Sequence, residues 1–447
     1  MKKILIKILK YSMLFIIIIC IFNISLYFAC LFDSNILKKN IEKSSKILKT
    51  EGYRYKLSNV FNVKSDTYTD ALIINEAYSV DNKVPYLSYM KMRKNYRSGI
   101  TSFEVLEKVG EGFTINYNEF ENKEILSSDT IGELENFLDG KIHYSTIYAR
   151  YWHGYMVIYR PLLILFNILQ IRFILFILHL ILFVYFLYLI YREFGKNISI
   201  IFALSLVCSG YFSASYSLSN SPVFLTMMIS SIYLLKRIDK LDDFSLYIFI
   251  VGCITSFIDF LTVPLITLGI PSVIYLLKMY NNNRDWKYCT KFLIKNSIVW
   301  LIGFILTWFF KWLQYDLTID DSNNMLNIGF SQILFRTQRV NEAWGIDINY
   351  ISVIYEIISR STLYILLSVI IITFVNKFKF VFNEINKNLI PIFLLALYPI
   401  MWYIILANHT IMHDFYTYRN SLIFMLCILL CIYELFYKKE VVNEKIR

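Results

Sequence analysis

The sequence predicts an all-α polytopic membrane protein of about ten transmembrane helices, with a first extracytoplasmic loop folded as a small helical or α/β subdomain. Three observations predict it. Apolar residues make up 57% of the 447-residue chain and mean hydropathy is +0.50, as in integral membrane proteins. The apolar residues gather into runs close to the ~20 residues that a spanning helix needs. One long polar stretch, residues 33–155, interrupts this pattern directly behind the first run.

The first run, 11–32, follows a basic start (Lys2, Lys3, Lys7, Lys10). It exceeds a normal signal-peptide core and no small-x-small cleavage site follows, so it reads as a retained anchor helix. Further spans are expected near 172–191, 198–213, 222–235, 244–260, 264–278, 294–313, 352–375, 389–407 and 420–437. The third to sixth are short and interrupted by Pro222, Pro264 and Pro271, so they read as two tight hairpins. The resulting divisions are 1–32, the loop domain 33–155, an interfacial helix 156–171, spans across 172–313, a second external loop 314–351, spans across 352–437 and a tail 438–447.

The net charge of +11 sits mainly in short segments between spans: Lys236, Arg237 and Lys240; Arg284, Lys287, Lys291 and Lys295; Lys377 and Lys379; Lys438, Lys439, Lys445 and Arg447. That is the positive-inside pattern, which puts both termini in the cytoplasm of a cell membrane and argues against a nucleic-acid partner. The seven cysteines lie in or beside apolar runs, none in the long loop, with no disulfide framework and no C-x-x-C metal signature. Richness in Ile, Asn, Lys and Tyr fits an AT-rich bacterial genome.

Within the long loop, helical spacing is expected over Asn35 to Glu51, Asp70 to Tyr78 and Thr130 to Leu138, with a turn at Gly110-Glu111-Gly112. Arg160-Pro161 punctuates the stretch after it, which favours an interfacial helix, with Tyr151, Trp152, Tyr155 and Tyr159 in the aromatic belt.

Asp70 is the leading candidate for a catalytic carboxylate, because it precedes an apolar stretch that presses onto the membrane domain; the plainer reading is a helix-start residue. Asp66, Glu76 and Asp259 are the reserve acids, Asp259 with a second reading as the cap of the next half-helix. Arg150 and His153 stand where the loop rejoins the membrane, as substrate ligands or headgroup anchors. Arg336 and Arg339 lie in the second external segment, and His409, His413 and Arg419 in the third. Arginine grips phosphate with paired charge-assisted bonds, and histidine donates to it or binds metal. The i,i+4 spacing of His409 and His413 leaves a divalent metal open, although the Glu of an H-E-x-x-H motif is missing. His179 reads as a bonded core histidine, and Glu356 with Arg360 as a mutually satisfied pair.

This layout resembles the GT-C superfamily of polytopic membrane glycosyltransferases. The matching positions are Asp70 in the first loop, Arg150 and His153 in the interfacial segment, and His409, His413 and Arg419 in the late loop. The resemblance implies a polyprenyl-phosphate-sugar donor in the surrounding lipid and a cell-surface glycan, lipid or protein acceptor, with no nucleotide site. The sequence departs from the pattern in its longer first loop and in lacking a large soluble C-terminal domain. Rival expectations are a polysaccharide polymerase or ligase, a flippase, and a non-catalytic envelope protein.

Overall fold

The computed structural model describes residues 2–52, 56–58, 63–64, 66–96, 100–101, 125–126, 130–140, 144–241, 243–321, 324–338, 350–376 and 386–436. The Gly110 turn and Arg339 fall outside them. Among the described residues, six stretches of helix are long and apolar enough to cross a membrane: Leu9–Cys30, Ile168–Phe194, Trp286–Thr318, Tyr350–Val375, Lys387–Ile405 and Asp414–Phe436. Four shorter apolar helices accompany them: Met156–Leu165, Lys196–Cys208, Phe244–Ile258 and Leu265–Asn281.

In chain order the helices are α1 (Lys2–Cys30), α2 (Ser34–Glu51), α3 (Thr67–Tyr78), α4 (Pro85–Lys91), α5 (Thr130–Leu138), α6 (Met156–Leu165), α7 (Ile168–Phe194), α8 (Lys196–Cys208), α9 (Tyr211–Ser215), α10 (Ser221–Arg237), α11 (Phe244–Ile258), α12 (Leu265–Asn281), α13 (Trp286–Thr318), α14 (Met325–Thr337), α15 (Tyr350–Asn376), α16 (Ile390–Ala396), α17 (Tyr398–Ile405), α18 (Ala407–Met412), α19 (Asp414–Thr417) and α20 (Ser421–Phe436). Three short strand pairs join the loop domain, the longest being Arg93–Tyr96 against Tyr144–Ile147, antiparallel.

The expected second span starts earlier than its apolar run, because Asn167 caps α7 with a full capping box, and it runs on to Phe194, where Gly195 caps its C-terminus. The expected 198–213 span is instead α8 and α9, separated by Gly210 in the left-handed region at φ 81°. The 389–407 span divides into α16 and α17, with Pro399 opening the second. Helix α13 runs 33 residues, roughly 50 Å at 1.5 Å each, so it outruns a ~30 Å hydrocarbon core. Its final turns meet the loop domain: Lys311 Nζ donates to the Tyr89 carbonyl at 3.0 Å and Tyr86 bonds Thr318 at 2.7 Å. Helices α11 and α13 pack backbone to backbone. A Cβ on Gly252 would collide with the Trp300 carbonyl, and one on Gly303 with the Phe249 carbonyl.

The loop domain is keyed to the bundle by polar contacts at broken helix ends. Asn40 on α2 donates to the orphan carbonyls of Leu163 and Ile164 at 3.0 and 2.9 Å, and Ser44 Oγ accepts the Ile168 N–H at 2.9 Å. Arg160 is fully buried rather than interfacial, its guanidinium donating to the carbonyls of Ala29, Ala77 and Phe32. Those carbonyls end or follow α1 and α3, so one cation closes two helix C-termini. Tyr151, Trp152, Tyr155 and Tyr159 are likewise buried, which corrects their expected place in the aromatic belt. The Trp152 Nε1–H bonds the Thr307 carbonyl at 2.7 Å inside the bundle, a partner lipid cannot provide.

A buried guanidinium and histidine cluster beside three carboxylates

Helix α3 is buried at Thr67 and from Asp70 to Ala77, and it carries Asp70 and Glu76 with buried Asp66 as its N-cap. A helix buried all round has no solvated face for its acids, so each must find a partner in protein. Asp66 is the N-cap, accepting the Thr69 N–H at 3.1 Å, and its other oxygen lies 3.5 Å from Ser219 Oγ. Burial pushes its carboxyl above the ordinary range, opposed by the bonds from Thr69 and by the Arg419 charge.

Asp70 points elsewhere. One oxygen takes Arg172 Nη2 and Nε at 2.7 and 3.2 Å, the other takes the Leu218 N–H at 2.9 Å. Arg172 also grips Glu51 at 2.8 and 2.9 Å and lies over the Tyr216 ring at 5.0 Å. Burial pushes the Asp70 carboxyl up to about 6, against the pull of Arg172 and with a contribution from Asp66. Both oxygens are thus engaged by the fold.

Glu76 follows Asp70 by six residues, roughly 120° around the helix at 3.6 residues per turn, and faces the segment 148–155. Its Oε2 accepts the Tyr155 hydroxyl at 2.6 Å and lies 3.4 Å from His153 Nδ1. Its buried Oε1 has no hydrogen-bond partner among the described residues. The segment itself is pressed onto α11 and α13: the Gly154 N–H bonds the Phe257 carbonyl at 2.9 Å, and a Cβ there would strike the Phe257 ring. Trp312 Nε1 donates to the Arg150 carbonyl at 3.0 Å. Arg150 and His153 are both buried, which disfavours the headgroup-anchor alternative of their two expected roles.

On the other side stand α14 and α18 to α20. Arg336 donates to the Gln332 carbonyl and side-chain oxygen at 2.9 and 2.7 Å and to the Tyr151 hydroxyl at 2.9 Å. Arg419 donates to the Phe415 carbonyl at 3.1 Å and Ser213 Oγ at 3.2 Å. Each is buried, each keeps an unsatisfied Nε–H, and neither has a carboxylate within ion-pair distance among the described residues. His409 Nε2 donates to the Leu261 carbonyl at 2.9 Å, and its ring lies 4.8 Å from that of His413. Burial holds His409 well below the usual histidine range, helped by His413, Arg336 and Arg150. The same burial, with Arg336 and Arg150, lowers His413 to about 3, so both rings are neutral. Tyr416 stacks on His413 at 5.0 Å and lies within electrostatic reach of Asp66 and of Arg336.

Asp259 caps the turn after α11, its Oδ1 accepting the Thr262 N–H at 3.0 Å, while Oδ2 has no partner among the described residues. Of the expected residues, the fold gathers Asp66, Arg150, Arg336, His409, His413 and Arg419 around Tyr416, with Glu76 and His153 behind Tyr148 and Tyr151. Asp70 is turned away toward Arg172, the first residue of the expected 172–191 span and absent from the expected site residues. A signal for it existed: an arginine at the start of an apolar run must find carboxylates or water. Among the described residues no three His, Cys, Asp or Glu side chains gather as a metal site requires. Compared with known proteins, the chain matches no family model, no curated protein and no solved structure.

Proposed function

We propose that the chain is a membrane glycosyltransferase that moves a sugar from a polyprenyl-phosphate-linked donor to a glycan, lipid or protein acceptor at the extracytoplasmic face, with about ten spans and cytoplasmic termini. One observation carries this reading: Arg336 and Arg419 are buried cations without carboxylate partners among the described residues, each with an Nε–H to spare. An uncompensated buried charge costs several kcal/mol unless an anion arrives to pair with it. Beside them neutral His413, whose Nδ1 has no partner among the described residues, can add a donor without adding charge, while the single N–H of His409 is held by the Leu261 carbonyl. The cluster also borders the end of α13 that meets the loop domain, where Trp312 donates to the Arg150 carbonyl and Lys311 to that of Tyr89, and the reading requires a lipid-borne phosphate to enter there.

In this reaction the acceptor oxygen forms a bond to the anomeric carbon as the carbon–oxygen bond to phosphate breaks. The electron pair leaves on phosphate, where Arg336 and Arg419 offset the charge. Asp66 takes the acceptor proton: it faces Arg419 and Tyr416, and burial has raised its proton affinity. Asp70 holds the helix start. This assignment moves the acid from Asp70 to the adjacent turn.

The test is sugar transfer from a panel of radiolabelled polyprenyl-phosphate sugars in membranes containing wild type, Asp66→Asn or Arg336→Gln at equal protein level. Wild-type transfer reduced ~100-fold or more is expected in both variants, from lost general-base catalysis in Asp66→Asn and from lost charge stabilisation of the leaving phosphate in Arg336→Gln. Full activity of Asp66→Asn would remove Asp66 from the mechanism. Transfer independent of Arg336 would remove it from the phosphate site.

A further inference from the structure

His153, Tyr155 and Glu76 form a buried chain whose hydrogen bonds can be counted. His153 Nε2 lies 2.7 Å from the Tyr148 carbonyl, which only accepts, so Nε2 carries hydrogen. His153 Nδ1 lies 2.5 Å from Tyr155 Oη, and Oη lies 2.6 Å from Glu76 Oε2. Each of these two short contacts needs a proton, and the phenol supplies one. The second proton sits on Nδ1 or on the carboxyl. The three groups therefore hold one proton more than a carboxylate, a phenol and a neutral imidazole together, and are uncharged as a set. A bare carboxylate beside a neutral ring would leave two acceptors facing one donor, in a site where each unmade bond is expensive.

We propose that Glu76, Tyr155 and His153 share this proton, and that the triad is a positioning device which fixes Arg150 and sets the charge behind the anion site. His153 is the hinge. It adopts φ 57°, a left-handed conformation uncommon outside glycine, and its bond to Tyr148 closes the turn containing Arg150. The Arg150 guanidinium rests on the Tyr148 ring at 4.5 Å and the Tyr151 ring at 5.6 Å, and Tyr151 in turn holds Arg336. Glu76 thus acts through other residues and touches no substrate. With the proton present the triad adds no charge; with the proton lost it places a negative charge behind the arginines and weakens their hold on an anion.

The surrounding titratable groups are Asp66 and Asp70 on α3, Tyr148, Arg150 and Tyr151 on the same segment, Asp259 beside Phe260, Arg336 on α14, and His409, His413 and Tyr416. Burial keeps both late histidines neutral.

This inference rests on the anion-site reading, so its test has two arms. The first is sulfate binding to the full chain in nanodiscs, by calorimetry from about pH 7 to 9, a range where sulfate keeps its charge. In Glu76→Gln the amide donates to Tyr155, whose hydroxyl turns to His153, so every bond is kept and no proton is shared. That variant is expected to bind as wild type does at about pH 7, because a triad holding the shared proton adds no charge. A variant that binds roughly tenfold tighter than wild type there, an ordinary coupling between neighbouring sites, would show a bare carboxylate behind the arginines; that overturns the proposal and leaves the anion site standing.

The second arm needs no ligand: a nitrogen-15 spectrum of the chain's five histidines at about pH 7.5, with the infrared carboxyl band. The triad is upheld by a doubly protonated His153, or by a neutral one accompanied by a protonated carboxyl that Glu76→Gln removes. A neutral His153 beside an ionised Glu76 overturns it. Absence of sulfate binding at every pH would sink the anion site alone, and the spectrum would still decide the triad.

Discussion

Arg172 and Arg336 are both buried guanidinium groups at the end of the bundle that carries the loop domain, and the fold treats them in opposite ways. Arg172 is surrounded by three carboxylate oxygens, two from Glu51 and one from Asp70. Arg336 meets a carbonyl, an amide oxygen and a phenol, all neutral. A buried cation whose charge is matched within the fold is structural, since the fold depends on the match. A buried cation given only neutral acceptors is held in shape while its charge stays unspent. Arg172 docks the loop domain onto α7, and the proposed anion site draws on Arg336.

Removing Arg172 is the largest way to break this comparison. Arg172→Met leaves Asp70 and Glu51 facing each other without their cation, and an uncompensated buried charge of this kind costs about 3–5 kcal/mol. Unfolding in detergent is expected to show that loss, and a change below about 1 kcal/mol would mean that other contacts dock the domain. Arg336→Gln is expected to do the reverse. Stability should change by less than about 1 kcal/mol, because a desolvated charge goes along with its bonds. Sulfate binding should weaken about 10- to 30-fold, the worth of charge-assisted bonds to one guanidinium. A variant that unfolds and still binds would exchange the two assignments.

The Asp70 carboxyl sharpens the first half of the comparison. Burial outweighs Arg172 and raises it from the ordinary 3.8 to about 6. The folded chain therefore keeps a proton that the unfolded chain gives up between these values, so this contribution is fully present at the acidic end and is lost as pH rises through about 6. Asp70→Asn, which does not titrate, should lack that decline when the two proteins are unfolded side by side across the window. A steeper decline in the variant would mean that the ion pair dominates over burial.

These contrasts explain what the sequence disclosed. Apolar runs reported the long helices, and caps reported their starts: Ser34–Glu51, Thr67–Tyr78 and Thr130–Leu138 lie within a few residues of the expected bounds. His179 was legible as a core histidine, and it bonds Tyr211 and Ser221 at 2.9 Å each. Glu356 and Arg360 were legible as a pair, and they meet at 2.8 Å. Such features depend on spacing along one helix. The partner of Asp70 lies 102 residues away and that of Arg336 lies 185 away, and no local period encodes either. Aromatic residues near Trp152 were misread for the same reason: the pattern of an interfacial belt and that of a packed core segment are alike until the neighbours are known. Position in the sequence named the late histidines and arginines, but only packing separated Asp70, paired with Arg172, from Asp66, which caps its helix.

The smallest expected effect isolates burial as the cause. Two residues before Glu51, Lys49 on the same helix pairs with Glu135 at 3.0 Å, a distance close to that of Arg172 to Glu51. The Lys49 side chain is 66% exposed, whereas that of Arg172 is 0% exposed. Water already solvates both partners of the outer pair, so breaking it forfeits little and strands nothing. Lys49→Ala is expected to shift stability by no more than about 1 kcal/mol, and less as salt is raised. If it instead approached the Arg172→Met loss, the cost would follow from the number of ion pairs on α2 rather than from their desolvation, and the reading of Arg336 as an unspent charge would lose its footing.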